Sequence, residues 1–413
     1  MTLTLSGVHI DSSPRLAGWT RLGGVLHSDA DARSEDVWLE VPDRDASALE
    51  QNGDAFLSWL APLASLRGES LRIDAPVRAL LLDQVREVVR VWRSWYPAMH
   101  DVSLDATALT GTAPTFVASE HTSEKLAASM FTGGVDSFFT ALRHDAGEGT
   151  PTTIKIDDLI FVHGFDVPLA NMPAWTTVTE SLQRAAESLG KRLVLVASNL
   201  RDTRFGATDW PRLSHGAALA GVGHALGARY DTILIGSSSG YRDLRPWGSH
   251  PLTDPMFTSP DVRILHDGAA FSRVQKTEYV VKSPIAMRHL RTCWVSTKGD
   301  NCGQCNGCYR TMLALDALGV LDECATFDRT SLDMNRAAHV YCRQDYDFRL
   351  FAQVRDLALR TGRPDIAAAV EHSLTASPVL TQRLARLERL RNTPLVGQMI
   401  PGLERRLMRG WVD

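Results

Sequence analysis

From residue 126 onward, short apolar runs alternate with longer stretches in which apolar positions recur every three or four residues. LAASMFT (126–132), DDLIFVHGF (157–165), KRLVLVASN (191–199) and YDTILIGSS (230–238) have strand length and few polar positions. Between them, DSFFTALRHD (136–145), AWTTVTESLQRAAESLG (174–190) and HGAALAGVGHALGA (215–228) carry helical spacing. Gly190 follows the second of these where a helix would stop, and the third is built of small residues suited to close packing. Strands that are apolar on both sides and separated by helices predict an α/β fold. Its sheet is parallel, with helices on both faces. Ligands of such sheets bind beyond the carboxyl ends of the strands.

The flanks read differently. The run DVWLEVP beginning at Asp36 predicts one short strand. DAFLSWLAPLASL (54–66) predicts a helix through Phe56, Leu57, Leu60, Leu63 and Leu66. PVRALLLDQVREVVRVWRSWY (76–96) predicts a stronger one, with Pro76 in its first turn and Trp92 and Trp95 as packing residues. The stretch 107–125 is rich in Thr, Ser and Ala without a clear period, which predicts a linker. Beyond the central region, 348–362, 364–376 and 379–392 predict three helices. The chain thus divides into an N-terminal α+β region (1–115), a central α/β domain (120–325) and a C-terminal helical region (326–413).

Composition narrows the class. With 44% hydrophobic and 22% charged residues the 413-residue chain is globular, and two or three domains fit its length. A net charge of −4 without basic runs argues against nucleic acid as a partner. No stretch has membrane-spanning length, and MTLTLSGVHIDSS lacks the features of a signal peptide. A cytoplasmic protein is the expectation. Of six cysteines, Cys324 and Cys342 stand apart and read as buried apolar residues.

Two motifs carry chemistry. The run FTGGVDS closes the first central strand and opens a helix. It lacks the third glycine of a dinucleotide fingerprint and the Gly-Lys-Ser/Thr of a Walker loop. Glycines let backbone N–H groups approach an anion, Thr132 and Ser137 add hydroxyls, and the helix N-terminus favours negative charge. A tight turn with Asp136 as helix cap is the alternative. The second motif is CWVSTKGDNCGQCNGC (293–308), in which Cys293, Cys302, Cys305 and Cys308 stand at the spacing Cys-x8-Cys-x2-Cys-x2-Cys. Four thiolates punctuated by Gly303 and Gly307 can close around one tetrahedral ion, which points to structural zinc. An iron–sulfur cluster and metal-free reactive thiols are the alternatives.

The loop resembles the Ser-Gly-Gly-x-Asp-Ser signature of the PP-loop ATP pyrophosphatases, with Thr132 where the family has serine. That resemblance implies an ATP site on Phe131, Thr132, Gly133, Gly134, Val135, Asp136 and Ser137. It also implies magnesium bridging the phosphates and cleavage of ATP between the α- and β-phosphates. The cysteine spacing is similar to that of the 7-cyano-7-deazaguanine synthases, and FSRVQKTEYVV (271–281) is similar to their lysine-bearing segment, which makes Lys276 a phosphate ligand. The resemblance covers roughly residues 126 to 320. It implies adenylation of a carboxylate, pyrophosphate release, and attack by ammonia or an amine to give an amide or nitrile. In that frame Asp136, Ser137 and Lys276 are catalytic, and His163, Gly236 and Ser237 sit at strand ends near the nucleotide. His163 reads equally well as a hydrogen-bonded core residue.

The segment 236–257 follows the fourth strand and differs from the synthase pattern. Its Tyr241, Arg242, Arg245, His250 and Asp254 are candidates to grip a substrate, and a salt-bridged loop is the alternative. The expected partners are a small carboxylate and a nitrogen donor, with a protein docked by the terminal regions and a homodimer left open. Three rival functions stand beside the main one. They are a ligase acting on a protein amine, a sulfur transferase acting on tRNA, and a non-catalytic nucleotide-binding partner.

Overall fold

The computed structural model describes residues 1–109, 125–147, 153–391 and 399–412. Most of the linker expected over 107–125 therefore lies outside the described residues. The chain forms two compact units, Met1–Thr132 with Asp136–Ala270, and Gly133–Val135 with Phe271–Asp413.

The first unit is built on one ten-stranded sheet in the order β10-β9-β6-β7-β8-β3-β2-β1-β4-β5. The central strands are β6 (Leu126–Met130), β7 (Asp158–His163), β8 (Arg192–Ser198), β9 (Tyr230–Gly236) and β10 (Arg263–Asp267). All four ladders among them are parallel. Helices α3 (Val135–Asp145) and α4 (Met172–Ser188) connect β6 to β7 and β7 to β8. Helix α5 (His215–Ala225) returns the chain from β8 past β7 and β6 to β9. Right-handed crossovers running in opposite directions put α3 and α4 on one face and α5 on the other. The strand order reverses between β6 and β9, and that reversal is the binding crevice of doubly wound sheets. This is the α/β fold expected for the central region.

The N-terminal strands join the same sheet. They are β1 (Thr2–Ser12), β2 (Trp19–Ser28), β3 (Arg33–Pro42), β4 (Ser70–Arg78) and β5 (Leu104–Leu109). β3 pairs antiparallel with β8 through Leu39↔Ser198 and Glu40↔Ala197. Side chains lengthen the joint: Ser198 Oγ donates to Trp38 O at 2.8 Å, and Asn199 Oδ1 accepts from Trp38 N at 2.9 Å. The N-terminal strands and the central strands thus lie in one compact unit.

Pro76 is not in a helical first turn. It lies in β4, at the register shift between Ile73 and Pro76, where a missing N–H costs the ladder nothing. Helix α2 (Ala79–Trp95) begins three residues later and buries Leu81, Val85, Val88 and Trp92 along one face. Helix α1 (Asp54–Arg67) is buried on nearly all sides, so its Leu and Trp positions show no polar face. Trp59 is fully buried and its Nε1 donates to Ala218 O of α5 at 3.0 Å.

The second unit is helical. It holds α6 (Arg273–Val280), α7 (Pro284–His289), α8 (Asn306–Ala317), α9 (Met334–Ala337), α10 (Asp345–Arg360), α11 (Pro364–Leu390) and α12 (Ile400–Leu407). Two helices expected over 364–392 are one, although Pro378 lies inside it. An interior proline costs a helix about 3 kcal/mol. Bonds to the segment 340–342 bridge the site: Ser373 Oγ donates to Val340 O at 2.5 Å, Ser377 Oγ accepts from Cys342 N at 3.0 Å, and Thr381 Oγ1 pairs with Tyr341 Oη at 2.9 Å. Cys324 and Cys342 are buried free thiols. No helix among the described residues is long and apolar enough to cross a membrane.

The small-residue surface of α5 sets a test. A Cβ at Gly221 would lie 2.1 Å from Trp59 Nε1. Gly221→Ala should destabilise the protein by roughly 1–3 kcal/mol through overpacking, read from the denaturant midpoint. A midpoint unchanged from wild type would show that α1 and α5 do not pack as described.

Candidate functional site

The loop from β6 to α3 leaves the sheet at the strand-order reversal. Phe131 N donates to Ile160 O at 2.8 Å, so β6 stays pinned to β7 up to the residue before the loop. Gly133 then turns with φ +73°, a region that favours glycine. Thr132, Gly134 and Asp136 are half-buried, while Phe131, Val135 and Ser137 are buried. On the neighbouring strand Gly236 comes close: a Cβ there would lie 3.0 Å from Asp136 O. Ser237 N donates to Asp267 O at 2.7 Å, and its hydroxyl donates to Ser239 O at 2.5 Å. The first turn of α3 and the segment after β9 thus come together. Such a helix N-terminus beside a glycine turn can receive an anion.

His163 is 1% exposed. Its ring stacks on Trp175 at 4.2 Å between centroids, and Nε2 lies 3.1 Å from Pro168 O. Burial holds its pKa down to about 4, against the pull of the Pro168 carbonyl, so it is neutral at physiological pH. Lys276 lies in the second unit on α6 and is 1% exposed. Helix α6 starts at a capping box formed by Ser272 and Gln275.

The segment 236–257 is divided. Tyr241 and Arg242 face solvent, and Arg245 lies over the Trp247 ring at 4.3 Å. His250 is half-buried against Trp95. Asp254 is fully buried, with its carboxylate bonded to Ser249 Oγ, His250 N and His266 Nδ1. His266 escaped the sequence reading because β10, at five residues with two of the last three polar, gave little strand pattern.

The four clustered cysteines of the second unit meet. All four sulfurs lie within 4.8 Å of one another. The Cys293–Cys305 and Cys302–Cys308 pairs are each 3.8 Å apart. A tetrahedral ion with sulfurs at about 2.3 Å requires edges of about 3.8 Å, so the group can hold a metal ion and is compatible with zinc. Without a cation the thiols shift one another's ionisation in opposite directions. Hydrogen bonds from Cys305 and Cys308 hold the Cys293 thiol down, and the bond to Cys293 pushes Cys305 and Cys308 up. A cation removes that conflict.

The chain around the sulfurs is fixed by Asn301, which sequence reasoning missed. Its Oδ1 accepts from Thr292 N at 2.9 Å and Cys293 N at 3.2 Å, and its Nδ2 donates to Leu290 O at 2.9 Å. Ser296 N donates to Cys293 Sγ at 3.2 Å and Gln304 N to Cys302 Sγ at 3.4 Å. Gly303 turns at φ +66° as the spacing suggested. Gly307 does not turn: it lies inside α8, where a Cβ would sit 3.1 Å from Thr292 O.

Cys305→Ser should lower the metal content of the purified protein from one ion per chain and reduce stability by several kcal/mol. Elemental analysis and thermal melts read both. Iron with acid-labile sulfide would identify a cluster. A stable wild-type protein without metal would overturn the site.

No family model matches the chain, and neither a curated protein nor a solved structure matches it.

Proposed function

We propose that the chain is an ATP-dependent enzyme that adenylates a carboxylate, releases pyrophosphate, and passes the acyl group to ammonia or an amine. One observation carries the reading: the run Thr132-Gly-Gly-Val-Asp-Ser137 leaves β6 at the strand-order reversal and runs directly into α3. In a doubly wound sheet that is where a ligand's phosphates meet backbone N–H groups and a helix N-terminus. The likeness of the run to the PP-loop signature assigns those phosphates to ATP.

A carboxylate resists attack because oxide is a poor leaving group, and an acyl-adenylate offers AMP instead. Magnesium, when bound, neutralises charge on the departing pyrophosphate. Asp136 is a hard oxygen donor suited to that ion. Thr132 and Ser137 supply hydroxyls, and Gly133 brings the main chain close. The four-cysteine group is read as closed structural zinc, with no open position for a substrate.

The test is pyrophosphate release with ATP, magnesium and a panel of heterocyclic carboxylates headed by a 7-deazaguanine carboxylate. Wild type should release pyrophosphate with at least one of them. Asp136→Asn should fold and melt as wild type does and lose roughly 10²–10³ in kcat, the scale of one missing transition-state contact. Normal turnover by the variant would remove Asp136 from the reaction. Tight ATP binding without pyrophosphate release would leave a nucleotide-binding partner protein instead.

A further inference from the structure

His266 and Asp267 end β10, and strand alternation sends their side chains to opposite faces. Asp267 meets Thr140, Arg143 and His144 of α3. His266 meets Asp254, with Nδ1 2.7 Å from Oδ2. Both side chains are buried, at 3% and 0% exposure. Asp254 is held in turn: Ser249 Oγ donates to Oδ2 at 2.5 Å and His250 N to Oδ1 at 3.0 Å. A carboxylate only accepts, so the imidazole carries its proton on Nδ1 and turns the Nε2 lone pair away from Asp254.

That nitrogen has no hydrogen-bond partner among the described residues. His266 lines a pocket with Ser237, Arg245, Trp247, Ser249 and His250. The space inside it is about 10 Å³, room for one molecule the size of water or ammonia. It opens beyond the carboxyl ends of β9 and β10, since Ser237 directly follows β9. An oriented buried acceptor left unpaired in the protein costs free energy that a ligand would recover. A histidine oriented by a buried carboxylate in the wall of a pocket has the arrangement of the acid–base half of a catalytic triad.

We infer that Asp254 and His266 form the proton-accepting pair of this pocket, with His266 Nε2 taking a proton from the nitrogen nucleophile as it attacks the activated acyl carbon. The inference rests on the adenylating reading for its acyl donor. The nitrogen lone pair forms the C–N bond. The bond from the acyl carbon to the AMP oxygen breaks, and its electron pair leaves on AMP. The proton shed by nitrogen goes to Nε2, and the Asp254 carboxylate stabilises the imidazolium. The charged and titratable groups facing His266 are Asp254, His250, the Arg245 guanidinium and His215 of α5. Burial first, with a protonated His266 adding to it, holds His250 and His215 toward their neutral forms. Neither competes for the proton.

The test uses full-length protein, ATP, magnesium and the carboxylate panel, with ammonium chloride or hydroxylamine as the nitrogen probe. His266→Gln should slow acyl transfer to ammonia and to hydroxylamine alike by about 10²–10⁴, because both nucleophiles shed a proton on attack, and the loss should shrink as pH rises while pyrophosphate release stays as in wild type. No loss with either probe, or an equal loss of pyrophosphate release, would overturn the pair. No product from wild type with any carboxylate would overturn the adenylating reading and this reaction with it. A substrate-free measurement guards against a misfolded variant: the ¹⁵N spectrum of the neutral imidazole form in wild type should place the His266 proton on Nδ1. A proton on Nε2 in that form would overturn the inference by itself.

Discussion

The Asp267 carboxylate holds together the elements that make a site at the strand ends. It accepts from Thr140 Oγ1 at 2.8 Å, from Arg143 Nη2 and from His144 Nε2 at 3.2 Å, while its main-chain oxygen accepts from Ser237 N. One residue at the end of β10 therefore fixes α3 and the segment after β9. Burial opposes ionisation of Asp267, and the His144 bond, the Arg143 charge and the Thr140 hydroxyl outweigh it, so the carboxyl titrates below its ordinary range. Removing one partner from such a buried pair costs roughly 3–5 kcal/mol, because the remaining charge is stranded. The N-terminus of α3 can face an anion only because its body is anchored against that attraction. The anchor also explains the division of labour on β10, where alternation frees His266 for the other side.

The sheet's size follows from a second constraint. An exposed β8 would end the doubly wound half in an unpaired edge, which proteins cover or pair. β3 pairs it, and α1 packs against α5 from the same N-terminal region. Trp59 takes the space that side chains on α5 would otherwise fill, which is why α5 is made of glycine and alanine where it meets α1. The N-terminal residues thus complete the core of the first unit.

What could be read from the sequence follows the same physics. β6 to β9 were legible because strands buried on both faces are apolar throughout, and the glycine loop because its position after such a strand is informative. β1 alternates Leu3 and Leu5 with threonines and then enters a bulge between Ser6 and His9, so its pattern is short. β2 carries Gly23 and Gly24, and β4 carries Pro76, residues that strand propensity counts against. Pro378 signals a break that hydrogen bonds from distant residues override. The cysteines were legible because four thiols at that spacing can close around one ion. Asn301 was not, since one asparagine among polar loop residues has no local signature, and its four main-chain partners are apparent only in three dimensions.

His266 is the instructive omission. Its partner Asp254 lies twelve residues earlier, at the start of a short 3₁₀ helix, and nothing in that interval marks the two as neighbours. Asp254 itself looked like a surface carboxylate ready for a substrate, because charged residues are mostly exposed. Burial changes its role: a carboxylate with both oxygens bonded inside the protein can orient a histidine but cannot reach a ligand. In the proposed reaction Asp254 acts only through the His266 ring. The segment 236–257 therefore separates into two layers: Tyr241 and Arg242 are exposed, whereas buried Ser249 and Asp254 hold the His266 imidazole in place.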